Sequence, residues 1–289
     1  MQESKPKKKI VKEQSQSQPG MEYKMDPQPE FDDNRPDSQK LLNKKCIITG
    51  GDSGIGRAVA VAFASNGADV AIIFLESEKK DAETTAEVIR GKYKRQCITV
   101  PADISNENNC IEAIQKILET FKKVDILVNN AAVQFPVDDI VNISSEQLIR
   151  TFSVNIFAMF WITKAVIPNM NKGGSIINTT SVTAYRGSKH LMDYSSTKGA
   201  IVSFTRSLSA NLIDKGIRVN GVAPGPVWTP LIPASFPPEE VAKFGTDTPM
   251  QRPAQPKEIA PAYVFLASED ASYISGQILH VNGGEIING

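Results

Sequence analysis

The chain has 289 residues, 41% of them hydrophobic and 22% charged, which is typical of a globular protein with a large buried core. Its 32 basic and 32 acidic residues cancel, so no net field attracts nucleic acid or an anionic membrane, and we expect neither as a partner. No apolar run approaches the roughly 18 residues of a membrane span. With two histidines in the chain, a multi-histidine metal site is not expected.

The cysteines indicate the redox environment of the protein. There are three, Cys46, Cys97 and Cys110, and they have no CxxC spacing. Cys46 and Cys97 lie in apolar runs that are typical of buried strands. We interpret all three as reduced thiols that act as small core residues, which fits a cytoplasmic location.

The first 40 residues are rich in Lys, Gln, Pro, Asp and Ser and lack the apolar segment of a secretory signal. We expect residues 1–40 to form an arm that is largely disordered, or packed on the surface or on a neighbouring subunit. The basic run 5–12 permits an alternative interpretation as a nuclear or nucleic-acid-binding patch. Four larger apolar residues could contact a folded body: Met21, Tyr23, Met25 and Phe31.

From residue 41 onward, apolar strands alternate with helices. The strand runs are continuously apolar, as expected for strands that are covered on both faces of a parallel sheet. The alternation predicts an α/β fold with a Rossmann-type doubly wound parallel sheet, formed by one domain over 41–289 with a short substrate lid at 229–250. The predicted strands are 45–50, 68–75, 97–103, 124–130, 173–181, 217–224 and 276–284. The predicted helices are 58–67, 80–93, 109–124, 144–170, 194–214 and 258–268.

A glycine-rich turn follows the first strand in "IITGGDSGIGRAVAVAF" and opens a helix. Glycines there let the backbone approach a pyrophosphate, and the helix N-terminus supplies free N–H groups. The spacing is GxxxGxG rather than GxGxxG, and the strand–loop–helix context is what favours a dinucleotide. The predicted cofactor contacts in this loop are Gly50, Asp52, Ser53, Gly54, Ile55 and Gly56.

An acidic residue is expected about twenty positions further on, where it would bind the ribose hydroxyls of NAD and repel the 2′-phosphate of NADP. Glu76 follows the second strand and is the candidate. It could instead be a surface acid in the charged stretch "ESEKKD". Arg57, Lys79 or Lys80 could alternatively bind a 2′-phosphate. We therefore predict NAD(P) as cofactor, with NAD favoured over NADP.

Several segments in this order and spacing resemble the short-chain dehydrogenase/reductase family over about 250 residues. They are "TGGDSGIG" (49–56), "AD" (102–103), "NNAA" (129–132), Asn155, Ser181, "YSSTK" (194–198) and "PGPVWT" (224–229). The usual NNAG reads NNAA here, with Ala132 in place of glycine. The long arm and the loop "GGDSGIGRA" are similar to a bacterial general-stress or glucose-dehydrogenase-like subgroup.

The resemblance implies roles for residues at the carboxyl ends of the strands. Asp103 would hydrogen-bond the adenine and Ile104 would pack against it. Asn130 and Ala131 would line the adenosine ribose. The nicotinamide carboxamide would be held by a further set, namely Pro224, Gly225, Val227 and Thr229.

Hydride transfer needs an acid/base at the substrate oxygen, and Tyr194 is the candidate. A free phenol has a pKa near 10, so it needs help to ionise. Lys198 lies one helical turn on, where its ammonium group would favour the phenolate and its side chain would reach the ribose hydroxyls. Ser181 would hold the substrate oxygen. Asn155, a polar residue within an apolar helix, would hold a water that relays protons from Lys198.

The expected activity is an NAD(P)-dependent oxidoreduction of a small alcohol or carbonyl compound: an aldehyde, ketone, polyol or sugar. Alternatives are a non-catalytic protein that senses NAD(P)(H), and an epimerase or dehydratase on the same scaffold. The family is usually homotetrameric, and we expect a homotetramer here. The proposed substrate walls are Gln134, Phe135, Thr183, Tyr185, His190, Leu191, Met192 and Trp228.

Overall fold

A computed structural model describes residues 11–32 and 39–286 of the chain. Seven parallel strands form one sheet in the order β3-β2-β1-β4-β5-β6-β7. The order reverses direction at β1 and β4, which is the doubly wound arrangement predicted from the sequence. The strands are β1 (Lys45–Thr49), β2 (Asp69–Phe74), β3 (Cys97–Pro101), β4 (Val124–Asn129), β5 (Met170–Thr179), β6 (Arg218–Pro224) and β7 (Ile278–Val281).

Helices cover both faces of the sheet, and the strand residues divide between two cores. Ile48 belongs to the core under three helices, α1 (Gly54–Ser65), α2 (Lys79–Gly91) and α9 (Pro256–Ala267). Its neighbour Ile47 belongs to the core under α3 (Glu107–Phe121) and α5 (Ala158–Val166). This alternation explains why the strand runs are apolar throughout. The helices are α1 (Gly54–Ser65), α2 (Lys79–Gly91), α3 (Glu107–Phe121), α4 (Ser145–Phe152), α5 (Ala158–Val166), α6 (Thr183–Arg186), α7 (Met192–Leu212), α8 (Pro238–Val241) and α9 (Pro256–Ala267).

The helix predicted over 144–170 is continuous but not uniform. A π-helical turn, Ser153–Phe157, joins α4 to α5, and Asn155 lies fully buried in that turn. By length and composition the run Ser145–Asn169 could cross a membrane, so the expectation that no run reaches that length is wrong. Of its most apolar window, 56% is buried inside the domain, as in the core helix of a globular protein.

The three cysteines are buried and unpaired, which confirms their interpretation as core thiols. They lie in β1, β3 and α3, among the apolar residues of the two cores. Burial raises the pKa of each thiol, so none of them is activated as a nucleophile.

The described part of the arm, residues 11–32, lies against the domain. Met25 is buried in a small cluster with Trp228, Ile232 and Val241, which belong to or border the lid. The Trp228 indole N–H donates to the Pro27 carbonyl oxygen at 2.9 Å. Most of the basic run 5–12 and the last three residues, 287–289, lie outside the described residues.

Candidate active site

The carboxyl ends of β1 to β6 border one cleft with a volume of about 380 Å³. Parallel strands place their carboxyl ends at one edge of the sheet, so residues from six separate segments meet there. Three predicted site residues, Gly56, Glu76 and Asn155, do not line the cleft. Those that do are Gly50, Asp52, Ser53, Gly54, Ile55, Asp103, Ile104, Asn130, Ala131, Ser181, Tyr194, Lys198, Pro224, Gly225, Val227 and Thr229.

The glycine loop presents bare backbone to the cleft. Gly50 and Gly54 have φ angles of +63° and +51°, a conformation that favours glycine. A Cβ on Gly54 would lie 3.1 Å from Thr229, and one on Gly56 would lie 1.8 Å from the Gly50 carbonyl oxygen. Gly56 therefore packs directly against the backbone of Gly50, where no side chain would fit. The loop opens α1, and this arrangement fits the diphosphate of a dinucleotide.

Asn130 holds the loop in place across the switch point of the sheet. Its side-chain amide donates to the carbonyl oxygens of Thr49 at 3.2 Å and Gly50 at 3.3 Å. The Thr49 hydroxyl accepts from the backbone N–H groups of Asn130 and Ala131. The asparagine at the end of β4 thus fixes the distance between the two strand ends that a dinucleotide would span.

Asp103 and Ile104 lie together after β3, where the resemblance places an adenine. The Asp103 carboxylate accepts from Arg150 at 2.9 and 3.0 Å and from the Ser105 N–H at 3.0 Å. These partners lower the pKa of Asp103 although burial opposes them. Arg150, in α4, also lines the cleft and was not predicted from the sequence.

The structure does not bring Glu76 to the cleft. Its side chain is 69% exposed and pairs with Lys79 at 3.9 Å, as the surface alternative described. Glu78 lines the cleft instead, because a 3₁₀ turn over Glu76–Glu78 reverses the chain after β2. The Glu78 carboxylate accepts from the Leu75 N–H at 3.0 Å, which keeps it at the end of the strand.

Several carboxyl groups lie close together at the Glu78 end of the cleft. Burial, with neighbouring carboxylates adding to it, raises the pKa of Glu78 to about 8 and that of Asp52 to about 6. Burial raises the pKa of Glu22, from the arm, to about 7. A further negative group bound here would meet carboxyl groups that already resist ionisation.

Arg57, an alternative partner for a 2′-phosphate, is enclosed. Its Nε donates to the Asp52 carbonyl oxygen at 2.8 Å and to the Thr85 hydroxyl at 3.0 Å. One terminal nitrogen pairs with Glu22, and the other pairs with Asp81 at 3.0 Å. Arg57 is only 3% exposed, and its guanidinium group connects the glycine loop to α2 and to the arm through these bonds.

Ser181, Tyr194 and Lys198 meet at the middle of the cleft. The Lys198 ammonium is 1% exposed, donates to the Thr179 carbonyl oxygen at 2.9 Å and lies 5.3 Å from the centre of the Tyr194 ring. Burial lowers the pKa of Lys198 to about 7. Burial also raises the pKa of Tyr194 to about 12, while a hydrogen bond with Ser181 opposes that rise.

The hydroxyl of Ser181 is oriented by its own loop. Its oxygen accepts from the Thr183 N–H at 3.2 Å and lies 3.1 Å from the Thr183 hydroxyl, which donates to it. Because these bonds use the oxygen lone pairs, the Ser181 proton is left to donate toward the cleft. The turn after β5 therefore prepares a donor beside Tyr194.

Asp193 positions Tyr194 and was not predicted from the sequence. Its carboxylate is 3% exposed, accepts from the Tyr194 N–H at 2.8 Å and from the Thr151 hydroxyl at 2.8 Å. It thereby ties the first turn of α7 to α4. An aspartate in the first turn of a helix is common, so the sequence carried no specific signal for this contact.

Asn155 is committed to the protein rather than to the cleft. Its amide exchanges two hydrogen bonds of 2.9 Å with the backbone of Val133 and donates to the Thr197 hydroxyl at 3.1 Å. Val133 lines the cleft and Thr197 precedes Lys198. The contacts of Asn155 thus join the wall after β4 to the helix that carries the lysine.

Few of the predicted substrate walls lie where they were expected. Gln134, Thr183 and Leu191 line the cleft. Trp228 is fully buried beneath the lid against the arm. The others, Phe135, Tyr185, His190 and Met192, are not among its lining residues, whereas three arm residues are, namely Gln18, Pro19 and Gly20.

Comparison with known proteins identifies the chain. A sequence model of the family described as enoyl-(acyl carrier protein) reductase matches residues 50–285. Glucose and ribitol dehydrogenase of Daucus carota is 50% identical over 282 residues, which cover 96% of this chain and 97% of that protein. The chain belongs to the short-chain dehydrogenase/reductase family.

Two further members of this family bear on the cofactor. NADPH-dependent aldehyde reductase 1, chloroplastic, of Arabidopsis thaliana is 48% identical over 284 residues, covering 96% of this chain and 98% of that one. A solved short chain dehydrogenase from Burkholderia cenocepacia J2315 in complex with NADP has a TM-score of 0.79 at 29% identity, covering 85% of this chain and 98% of that one.

These relatives are oxidoreductases, so the chain is an NAD(P)-dependent enzyme of the short-chain dehydrogenase/reductase family, and the non-catalytic alternative falls. The likeness to glucose and ribitol dehydrogenase confirms the narrower resemblance inferred from the sequence. The names of the relatives support a nicotinamide cofactor. They give no support to the predicted preference for NAD, since the Arabidopsis relative is named NADPH-dependent and the Burkholderia structure holds NADP.

Proposed function

We propose that this enzyme interconverts a small hydroxylated alcohol and its carbonyl compound, of the sugar or polyol class, with Tyr194 as general acid/base. The observation that carries the proposal is the meeting of Ser181, Tyr194 and Lys198 in one cleft beside a bare glycine loop. Polar groups from Gln134, Thr183 and Ser181 at the same cleft suit a substrate with several hydroxyl groups. The likeness to a glucose and ribitol dehydrogenase supports that class.

In the proposed mechanism the bound nicotinamide supplies or accepts the hydride, and its oxidised form adds a positive charge. Ser181 donates a hydrogen bond to the substrate oxygen and keeps that oxygen beside the Tyr194 hydroxyl. Tyr194 gives a proton to the oxygen during reduction and takes it during oxidation. Lys198 lies 5.3 Å from the ring centre, so its ammonium group stabilises the phenolate.

The same lysine carries the proton onward. Its pKa of about 7 lets it exchange a proton near neutral pH, where a lysine in water would stay charged. Asn155 supports the proton relay indirectly in this proposal: its side chain bonds to Val133 and to the Thr197 hydroxyl and so holds the turn of α7 that carries Lys198 beside the wall where a relay water would lie. Lys198 would also bind the ribose hydroxyls of the cofactor.

We further propose that the enzyme prefers NAD to NADP, on different grounds from those in the sequence. Glu78 takes the position expected of Glu76, and Arg57 is already paired with Glu22 and Asp81. A 2′-phosphate at this end of the cleft would therefore lie near Glu78. Arg57 would not bind that phosphate, because its guanidinium group already pairs with Glu22 and Asp81. At pH 7 a carboxyl with a pKa of about 8 is mostly neutral, and at pH 9 it is mostly charged.

The preference should therefore grow with pH. Between pH 7 and pH 9, the ratio of kcat/KM for NADH to kcat/KM for NADPH should rise roughly tenfold, about 1.4 kcal/mol of added repulsion. Glu78→Gln should hold the ratio constant, and Glu83→Gln, at an exposed position in α2, should behave as the parent. A ratio that is flat in the parent would remove Glu78 from cofactor selection.

The function itself is tested by absorbance at the nicotinamide band with a panel of sugars, polyols and simple aldehydes. Turnover is expected with hydroxylated members of the panel. Turnover confined to simple aldehydes would replace the proposed substrate class, and no turnover with any member would refute the function.

A homotetramer in the cytoplasm is the proposed state of the enzyme. Helix α4, the π-helical turn and α5 leave large apolar side chains exposed, including Ile149, Phe157 and Phe160. Association of copies would cover that surface. Light scattering should give about four times the chain mass of 31.5 kDa, and a monomer mass would contradict the proposal.

A further inference from the structure

The arm crosses the mouth of the cleft between the lid and the glycine loop. The Gln16 N–H donates to the Pro233 carbonyl oxygen at 2.6 Å, so the arm pairs with the lid at that point. Gly20 is buried against the lid, and a Cβ there would lie 2.2 Å from the Pro230 carbonyl oxygen and 3.0 Å from Ala234. The arm therefore approaches the lid as closely as backbone allows.

Glu22 anchors the arm at the far side of this crossing. Its carboxylate is 1% exposed, accepts from the Gly54 N–H at 2.5 Å and pairs with Arg57. Its backbone N–H donates to Asp81 at 2.9 Å. Pulling the arm away would leave Arg57 and these buried groups short of partners, which is costly in a protein interior. The segment between residues 16 and 22 is thus held at both ends.

The held segment turns Gln18 into the cleft. Gln18, Pro19 and Gly20 line it, and the Gln18 amide nitrogen donates to the carbonyl oxygen of Gln134 on the opposite wall. Gln134 follows β4 and is itself 4% exposed. The arm therefore adds a primary amide, with one donor and one acceptor still to satisfy, to the cavity that contains Ser181 and Tyr194.

We propose that Gln18 is a substrate-specificity residue, which hydrogen-bonds a hydroxyl group of the substrate away from the reacting carbon. Binding of an apolar ligand here is less favourable, because it leaves the donor and the acceptor of an ordered, half-buried amide unpaired. A hydroxylated ligand satisfies both. The inference rests on the proposed function and deepens it, because it assigns the choice between sugar-like and simple substrates to a residue outside the α/β domain.

The test compares substrates that differ in hydroxyl groups but share the reacting group: glyceraldehyde with propanal, and ribitol with 1-pentanol. For Gln18→Leu, kcat/KM for the hydroxylated member should fall about tenfold, with the unsubstituted member unchanged within about twofold. Gln115→Leu makes the same change at an exposed position in α3 and should leave both values as in the parent.

A second variant moves the arm and keeps the amide. Gly20→Ala adds the methyl group that meets Pro230, so it should also lower the preference for the hydroxylated member. Gly91→Ala is its control, because a Cβ at Gly91 meets nothing within 4 Å. Gln18→Leu and Gly20→Ala should both bind the cofactor as the parent does in a titration if the effect is on the substrate alone.

The outcomes separate the two proposals. If the parent turns over none of the four compounds, the proposed function fails and the role of Gln18 fails with it. If the parent favours the unsubstituted members, the proposed substrate class and the role of Gln18 are both overturned. If the parent favours the hydroxylated members but Gln18→Leu changes both members alike or neither, the function stands and only the role of Gln18 is overturned. A selective loss in Gln18→Leu, absent from Gln115→Leu, supports the inference.

Discussion

Two regions of this enzyme border the same cleft and are held together in different ways. The strand-end region, with the glycine loop, Ser181, Tyr194 and Lys198, follows from local pattern and sheet topology. The cap, formed by the arm (11–32) and the lid (229–250), depends on contacts such as that between Pro27 and Trp228, 201 positions apart. In our proposals the first region carries the groups for chemistry, and the second carries groups that select and enclose the substrate.

The largest effect should come from Tyr194→Phe, which removes the proton donor of the strand-end region and leaves its packing. We expect kcat to fall by about 10³-fold or more, while titration of cofactor binding by fluorescence stays as in the parent. Tyr273→Phe makes the same change at a fully exposed tyrosine and should have no effect. Retained turnover in Tyr194→Phe would contradict the assignment of the proton transfer to the strand-end region.

The next largest effect is expected at Glu22, which anchors the arm and so holds the cap on the domain. Glu22→Ala removes the partner of Arg57 and the acceptor of the Gly54 N–H, so the free energy of unfolding should fall by about 3 kcal/mol in urea titrations. Glu83→Ala, on the exposed face of α2, is the control. An unchanged urea midpoint in Glu22→Ala would mean that the arm is not anchored as described.

The buried lysine of the strand-end region should make stability depend on pH. The folded pKa of Lys198 is about 7 and the unfolded value about 10.4, so between these values the unfolded chain binds more protons. Its contribution to the free energy of unfolding therefore rises with pH in this window, by about 1 kcal/mol per pH unit. The difference between parent and Lys198→Met, measured in urea at pH 7, 8 and 9, should show that slope, and a constant difference would contradict the lowered pKa.

The smallest effect is expected at the adenine end. Arg150→Ala frees the Asp103 carboxylate, which now accepts from Arg150 at 2.9 and 3.0 Å, and KM for the cofactor should rise about threefold with kcat unchanged. Lys164→Ala, at an exposed pair in α5, is the matched control. A fall in kcat would place Arg150 closer to the chemistry than the cleft geometry does.

The seven strands and the central site were predictable because apolar periodicity and motif order are local signals that a parallel sheet converts into proximity. Glu76 was misplaced because one 3₁₀ turn decides which of two glutamates faces inward, and both fit the pattern. Gln18 and Glu22 were not predicted, since their partners lie in distant segments. The apolar residues of the arm were the available signal, and of these Met25 is buried.

The contacts of the arm also fix an order of assembly during synthesis. The arm leaves the ribosome before the domain, yet its backbone carbonyls accept from Trp228 and Lys257, which are made about two hundred residues later. A nascent chain that ends at β6 already contains the first six strands and lacks the whole lid. Glu22 can pair with Arg57 as soon as the first helices form, but Met25, Pro27 and Glu30 have no partners until the lid and α9 emerge. A segment that precedes the whole domain in the chain is therefore among the last to complete its contacts in the folded enzyme.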